Sequence, residues 1–227
     1  EMIGNIAHQW RQPLSTITMI AGCVESDMEM EKINKQKTAS NANQIIKNTL
    51  HLSKTIDDFR NFYQVNKESE NFNISHCINN CINIVDAILS DNKINVILEQ
   101  DEFLEINSIE GEFSQCIINL ISNAKDALVE NNIDYKNRYI FINVFKKENH
   151  IFIKVKDNAG GIKEDIIAKI FNQHFTTKDE RGSGIGLFVS KQIIEQHIKG
   201  EIYAQNLDFN FQEHSYKGLE FTIKLPM

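Results

Sequence analysis

The chain has 227 residues, enough for one large domain or two modest ones with at least one real core. Its composition is 41% hydrophobic and 24% charged, with 10 Gly and 2 Pro, which excludes whole-chain disorder, collagen-like repeats and low complexity. Lys plus Arg number 24 against 31 Asp plus Glu, and a net charge of −7 lacks the basic footprint of a general nucleic-acid binder.

No apolar run approaches the roughly 20 residues needed to span a bilayer, and the start does not resemble a signal peptide. A cytoplasmic setting is expected, with any membrane attachment carried by segments outside this chain. Cys77 and Cys81 stand one helical turn apart, but no second His or Cys pair accompanies them as zinc ligands. With Cys23 and Cys116 they are expected to be reduced, largely packed thiols. The chain opens in mid-pattern at Glu1 without an initiator Met, so a fragment of a longer protein is expected.

From Met2 to about Met30 apolar residues recur at helical spacing. Ile3, Trp10, Ile17 and Val24 fall seven apart, and Ala7, Leu14, Ala21 and Met28 widen the stripe. A polar stretch, Glu31 to Asn43, reads as a connection, and a second helical pattern carries Ile45, Leu52, Ile56, Phe59 and Tyr63. Two such helices make a hairpin whose seam is too wide for one partner helix. A dimeric four-helix bundle formed by two hairpins is the expected solution.

After about Glu70 the texture changes to short strand-like runs alternating with helices. Strands are predicted at 71–74, 94–98, 104–109, 139–145, 151–156, 201–204 and 219–225, and helices at 75–89, 112–129, 163–170 and 185–197. The fold class expected is two domains: an all-α helical hairpin over residues 1–66, then an α+β sandwich over residues 71–227.

Four pieces of the second half carry chemistry. Asn119 and Asn123 lie at i and i+4 on one helix face, and amide oxygens suit a Mg²⁺ shared with phosphate. Asp157-Asn-Ala-Gly-Gly161 follows a strand, where a carboxylate can accept from an exocyclic amine and glycines admit a flat ring. Phe171-Asn-Gln-His-Phe175-Thr-Thr-Lys178 comes third. The fourth, Gly182-Ser-Gly184-Ile-Gly186-Leu187, opens a helix whose bare N–H groups favour phosphate.

In this order and at these separations the pieces resemble the ATP-binding domain of the GHKL (Bergerat-type) superfamily, over roughly residues 71–227. The first half chooses among its members. His8-Gln-Trp-Arg-Gln-Pro13-Leu14 resembles the phospho-accepting box of sensor histidine kinases, with Pro13 five residues after His8. The heptad register places His8 opposite the a/d seam, facing solvent, and Pro13 inside the helical pattern is expected to kink the helix one turn after His8.

The resemblance implies the following roles. Asn123 binds Mg²⁺ and Asn119 lies near the phosphates. Asp157 recognises the adenine amine and Gly161 approaches the ring. Gly182, Gly184, Gly186 and Leu187 hold the triphosphate beneath a lid over about residues 172–183, in which Lys178 and Arg181 contact phosphate. Phe171 and Phe175 pack the lid base. The implied reaction is autophosphorylation of His8 by ATP, followed by transfer to an aspartate of a response-regulator receiver domain. Ala159 replaces the family's usual first glycine, two residues after the aspartate. Gln9 replaces the family's acid after the histidine. It cannot act as a base near neutrality, but its amide oxygen can accept from Nδ1–H and leave Nε2 free. Gln12 has the chemistry to position a water for regulator dephosphorylation. Two other readings stay open: a plain GHKL-type ATPase, and a degenerate kinase kept as a dimeric scaffold.

Overall fold

The computed structural model describes residues 2–30, 34–62, 68–101, 103–177 and 184–227; the side chains of 2–12, 51 and 54–62 lie outside it. The chain divides between Gln64 and Val65 into two compact units.

The first unit is a helical hairpin, α1 (Met2–Glu29) and α2 (Lys35–Phe62). α1 runs unbroken through Pro13, and a kink there would fall beside side chains outside the described set. Helix α2 starts well before the expected position, because its first two turns are polar on every side and leave no apolar periodicity to read. A cap starts them instead: Asn34 Oδ1 accepts from the N–H groups of Gln36 (3.0 Å) and Lys37 (3.2 Å). Lys37 then pairs with Asp27 of α1 at 2.6 Å, across the connection.

The second unit opens with β1 (Glu70–Asn73), α3 (Ile74–Asp91), β2 (Asn95–Gln100), β3 (Glu105–Ser108) and α4 (Glu110–Glu130). β4 (Tyr139–Lys147), β5 (His150–Asp157) and the short α5 (Glu164–Ile167) follow. Then come α6 (Gly186–Gln192), continued by a π-helical turn at Ile193–His197, and the long hairpin β6 (Glu201–Phe211) and β7 (His214–Pro226). A five-stranded sheet has the order β2-β4-β5-β7-β6, with only β2 and β4 parallel. β1 and β3 form a separate antiparallel pair. The result is helices packed on a mixed sheet, in keeping with the α+β sandwich expected of residues 71–227.

Strand alternation sorts the sheet into two faces. Ile140, Ile142 and Val144 of β4, Ile151, Ile153 and Val155 of β5, and Phe221, Ile223 and Leu225 of β7 are buried on the helix side. They meet Phe113, Ile117, Leu120 and Ile121 of α4, all fully buried. From α3 come Ile74, Cys77, Ile78 and Cys81, also fully buried. The four cysteines are free, and three are buried while Cys23 is exposed.

The β6–β7 hairpin is far longer than expected. Its turn, Gln212-Glu213, places both residues at positive φ (48° and 64°) without the Asn or Gly that usually announces such a turn. The distal arm curls over the outer sheet face. Phe209 and Phe211 reach Phe141 of β4 at 5.3 and 4.9 Å between ring centroids, although β5 and β7 separate those strands in the sheet. The Lys156 ammonium lies 3.8 Å from the Phe209 ring and 4.8 Å from Phe141. Among the described residues no helix is long and apolar enough to cross a membrane.

The Asn34 cap gives a direct check on why α2 starts where it does. Asn34→Ala is expected to lower stability by about 1 kcal/mol, read as a fall in the urea midpoint; an unchanged midpoint would remove the cap as the cause.

Candidate functional site

Among the described residues, Asp157 ends β5, Asn119 and Asn123 lie on α4, and Gly184, Gly186 and Leu187 lie at the start of α6. Asp157 is the last residue of β5 on its buried face and is only 2% exposed. Its Oδ1 accepts from the N–H of Ala159 (2.8 Å) and of Leu219 on β7 (3.3 Å). Burial pushes this carboxyl up to about 6, and the two N–H donors pull against that rise. Asn158 is structural: its amide accepts from Tyr139 N–H and donates to the Asn137 carbonyl.

The segment that follows is tied on both sides. Asn131, just past α4, donates to the Ala159 carbonyl at 2.7 Å. Gly160 N–H donates to the Lys217 carbonyl at 2.9 Å. Gly160 and Gly161 take φ of +92° and +75°, a conformation that disfavours any residue with a Cβ. Ala159, at the departure from the family pattern, is buried and bonds through its backbone alone in these contacts. Gly218 is equally constrained, since a Cβ there would lie 1.8 Å from the Asp157 carbonyl oxygen.

Asn119 and Asn123 share α4. Asn119 Nδ2 donates to Ser190 Oγ of α6 at 2.9 Å, which brings the Asn119 amide to the start of that helix. A Cβ on Gly186 would lie 2.4 Å from Asn119 Oδ1, so the glycine leaves room for that oxygen. Asn123 is half-buried one turn further along. Gly184 sits at φ +62° against His174, itself at φ +65°, and His174 N–H donates to the Gly184 carbonyl at 3.0 Å. Burial lowers the pKa of the His174 ring. Phe171 packs edge-on against Phe221 of β7 at 6.2 Å. Leu187 lies half-buried in the first turn of α6.

Lys178, Arg181 and Gly182 lie outside the described residues. His8, Gln9 and Gln12 are on α1, with side chains outside the described set. The structure adds two residues that sequence reading passes over, Asn131 and Asn206. Each acts on the backbone of the Asp157 segment from an element distant in sequence, and neither belongs to a local motif. Gly218 does carry a sequence signal, since it opens the closing Gly218–Pro226 run that is similar to the last strand of histidine kinases.

The buried carboxyl makes a pH-dependent prediction. Its pKa is raised from 3.8 to about 6, so its contribution to stability is fully present below about pH 4 and is lost as pH rises through about 6. At pH 7.5 the ionised group costs about 3 kcal/mol relative to acid. Asp157→Asn is therefore expected to be more stable than the parent at pH 7.5, with the gain vanishing near pH 4, by urea unfolding at both pH values. A difference that does not change with pH would contradict the assignment.

Residues 108–227 match the family described as histidine kinase-, DNA gyrase B-, and HSP90-like ATPase. Among curated proteins, the chain is 27% identical over 222 residues to the sensor histidine kinase YvrG of Bacillus subtilis, covering 91% of this chain and 36% of that protein. It is 26% identical over 232 residues to sporulation kinase E of the same organism, covering 100% of this chain and 28% of the relative. The chain thus spans about a third of the length of these relatives. The catalytic domain of histidine kinase ThkA superposes with a TM-score of 0.59 at 25% identity, over 70% of this chain and 96% of that one. A ThkA structure solved in complex with the response regulator TrrA has the fold of the whole chain, with a TM-score of 0.68 at 24% identity over 100% of this chain and 61% of that one. With the family matched over more than half its length, the chain belongs to the histidine kinase-, DNA gyrase B-, and HSP90-like ATPases, and within that family it resembles the catalytic cores of histidine kinases.

Proposed function

We propose that this chain transfers the γ-phosphoryl group of ATP to His8 and then to an aspartate of a response-regulator receiver domain. The observation that supports the reading is the buried Asp157 carboxylate, followed at once by the two positive-φ glycines Gly160 and Gly161. Asp157 accepts a hydrogen bond from the adenine amine, and Gly161 lets the backbone meet the ring. Gly182, Gly184, Gly186 and Leu187 present N–H groups to the triphosphate, with Lys178 and Arg181 as its cations.

Among the described residues no cluster of three His, Cys, Asp or Glu side chains makes a cage for a resident cation. Amide oxygens on one helix instead fit a Mg²⁺ that arrives with the nucleotide and keeps phosphate and water oxygens around it. Asn123 would hold it, and its chemistry is to neutralise charge on the β- and γ-phosphates. The protein's own part is alignment and exclusion of water.

At His8 the neutral imidazole attacks phosphorus. The bond from phosphorus to the bridging oxygen breaks, a P–N bond forms, and the ring proton leaves to water. Gln9 orients the ring by accepting from Nδ1–H. The receiver partner rests on the resemblance of the His8 box, where the product phosphoramidate would be presented.

Homodimerisation through the hairpin is part of this reading. Leu14 is 50% exposed and Met28 60% exposed, with exposed Ala21 between them at seven-residue spacing. On α2, Ile46 and Leu50 are 56% and 66% exposed. A second hairpin covers this apolar flank and completes a four-helix bundle. Residues 1–66 would then serve dimerisation and phosphotransfer, residues 71–227 catalysis, in a cytoplasmic setting.

Incubation with γ-labelled ATP and Mg²⁺ tests the proposal. Label is expected on the protein, labile in acid and stable in base. His8→Gln should abolish it while ATP binding persists, and Gln9→Ala should slow its appearance. Undiminished label in His8→Gln would refute the acceptor; steady ATP hydrolysis without phosphoprotein would favour the plain ATPase.

A further inference from the structure

The segment from Asp157 to Ile162 is stitched to the β6–β7 pair at three points. At its start, Leu219 N–H holds the Asp157 carboxylate. In its middle, the Lys217 carbonyl holds Gly160 N–H. At its far end the contact comes from a side chain, Asn206 of β6. Asn206 Oδ1 accepts from Ile162 N–H at 2.9 Å, and Nδ2 donates to the Ile162 carbonyl at 2.6 Å and to Glu164 Oε1 at 2.9 Å. The carboxamide thus bonds both polar groups of one residue, as a neighbouring strand would.

Register explains why Asn206 can do this. Asn206 pairs with Leu219. Asp157 comes next after the Lys156↔Glu220 pair of β5 and β7, which sets it beside Leu219. One row across three strands therefore grips both ends of the turn. Asn206 also sets how close the turn can lie, because a Cβ on Gly161 would come within 2.4 Å of Asn206 Oδ1. Asparagine suits the position because it offers one acceptor and two donors on a short stem. Aspartate would lose both donors and set a charge against Glu164, whereas serine is too short to reach both backbone groups.

We propose that Asn206 is the positioning residue that sets nucleobase specificity, by fixing the Gly160–Ile162 turn at the depth where Asp157 reads an adenine amine. The inference rests on the ATP-binding reading above. A carboxylate tells adenine from guanine only while the ring is held at hydrogen-bonding distance, because the two bases present an amine and a carbonyl at the same edge. A loosened turn lets the ring drift from that distance, which costs ATP its hydrogen bond and costs GTP little.

The test uses the 227-residue protein with Asn206→Ser, Asn206→Asp and Asn206→Gln, measuring Mg·ATP and Mg·GTP affinities by competition. In the Ser and Asp variants, ATP affinity should fall about tenfold, the worth of one hydrogen bond to a charged group. GTP affinity should change less, so the ATP-over-GTP preference falls. Asn206→Gln, which keeps the donors and acceptor, should recover part of the preference. A general loss of stability would weaken both nucleotides together and leave the ratio where it was. Hydrogen exchange at the Ile162 amide, protected in the parent, should accelerate in Asn206→Ser. This also serves if the Asp variant does not fold. An unchanged ratio in folded Asn206→Ser, with the parent binding ATP, overturns the inference alone. A parent that binds no ATP overturns the nucleotide reading and this inference with it.

Discussion

The carboxylate of Asp157 is the constraint on which the rest of the site depends. It is buried, it has two backbone N–H donors, and it faces no cation among its described partners. Burying a charge this way is unfavourable unless something later repays it with a further hydrogen bond. The surrounding architecture is understandable as what keeps the group in place. β5 delivers it at a strand end, Leu219 and Ala159 hold it, and Gly218 has no side chain because the Asp157 carbonyl fills that space. The cost in stability is of the kind that functional sites carry and structural ones avoid.

The net charge of −7 looks ill suited to a nucleotide carrying several negative charges. On the proposed reading the site meets the difficulty by adding uncharged groups to Lys178 and Arg181. Its polar groups are backbone N–H groups, the start of a helix and neutral amides such as Asn119, none of which enters a count of formal charge. Composition therefore speaks for the surface and is silent about the pocket. The same reasoning covers the outer sheet face, where Lys156 lies between aromatic rings rather than beside phosphate.

Much of the architecture is legible in the sequence because periodicity reports burial. The strict alternation of β5 marks that strand and its end fixes Asp157 on the core side, whereas β4 is buried without a break from Ile140 to Ile142. The helical stripe in α4 places Asn119 and Asn123 on one helix. What escapes reading is what periodicity does not encode. The first turns of α2 are polar all round and owe their start to Asn34. The arm of β6–β7 turns through Gln212-Glu213, a pair with no turn signature, and its aromatic rings pack on a strand three positions away in the sheet. Asn206 and Asn131 act on the Ala159–Ile162 turn through tertiary contacts alone, so neither stands out from the many asparagines of the chain. His8, in contrast, is legible only through its box, since its side chain lies outside the described residues.

The central claim is that the fold holds a carboxylate at raised free energy for a ligand that favours its ionised form. The most direct measurement is the titration of the Asp157 carboxyl carbon by NMR, without nucleotide and with saturating Mg·ATP. The account predicts a pKa of about 6 in the free protein and a marked fall when ATP is bound, because the adenine amine stabilises the ionised form. An ordinary carboxylate value in the free protein, or a raised value that ATP leaves in place, would contradict it.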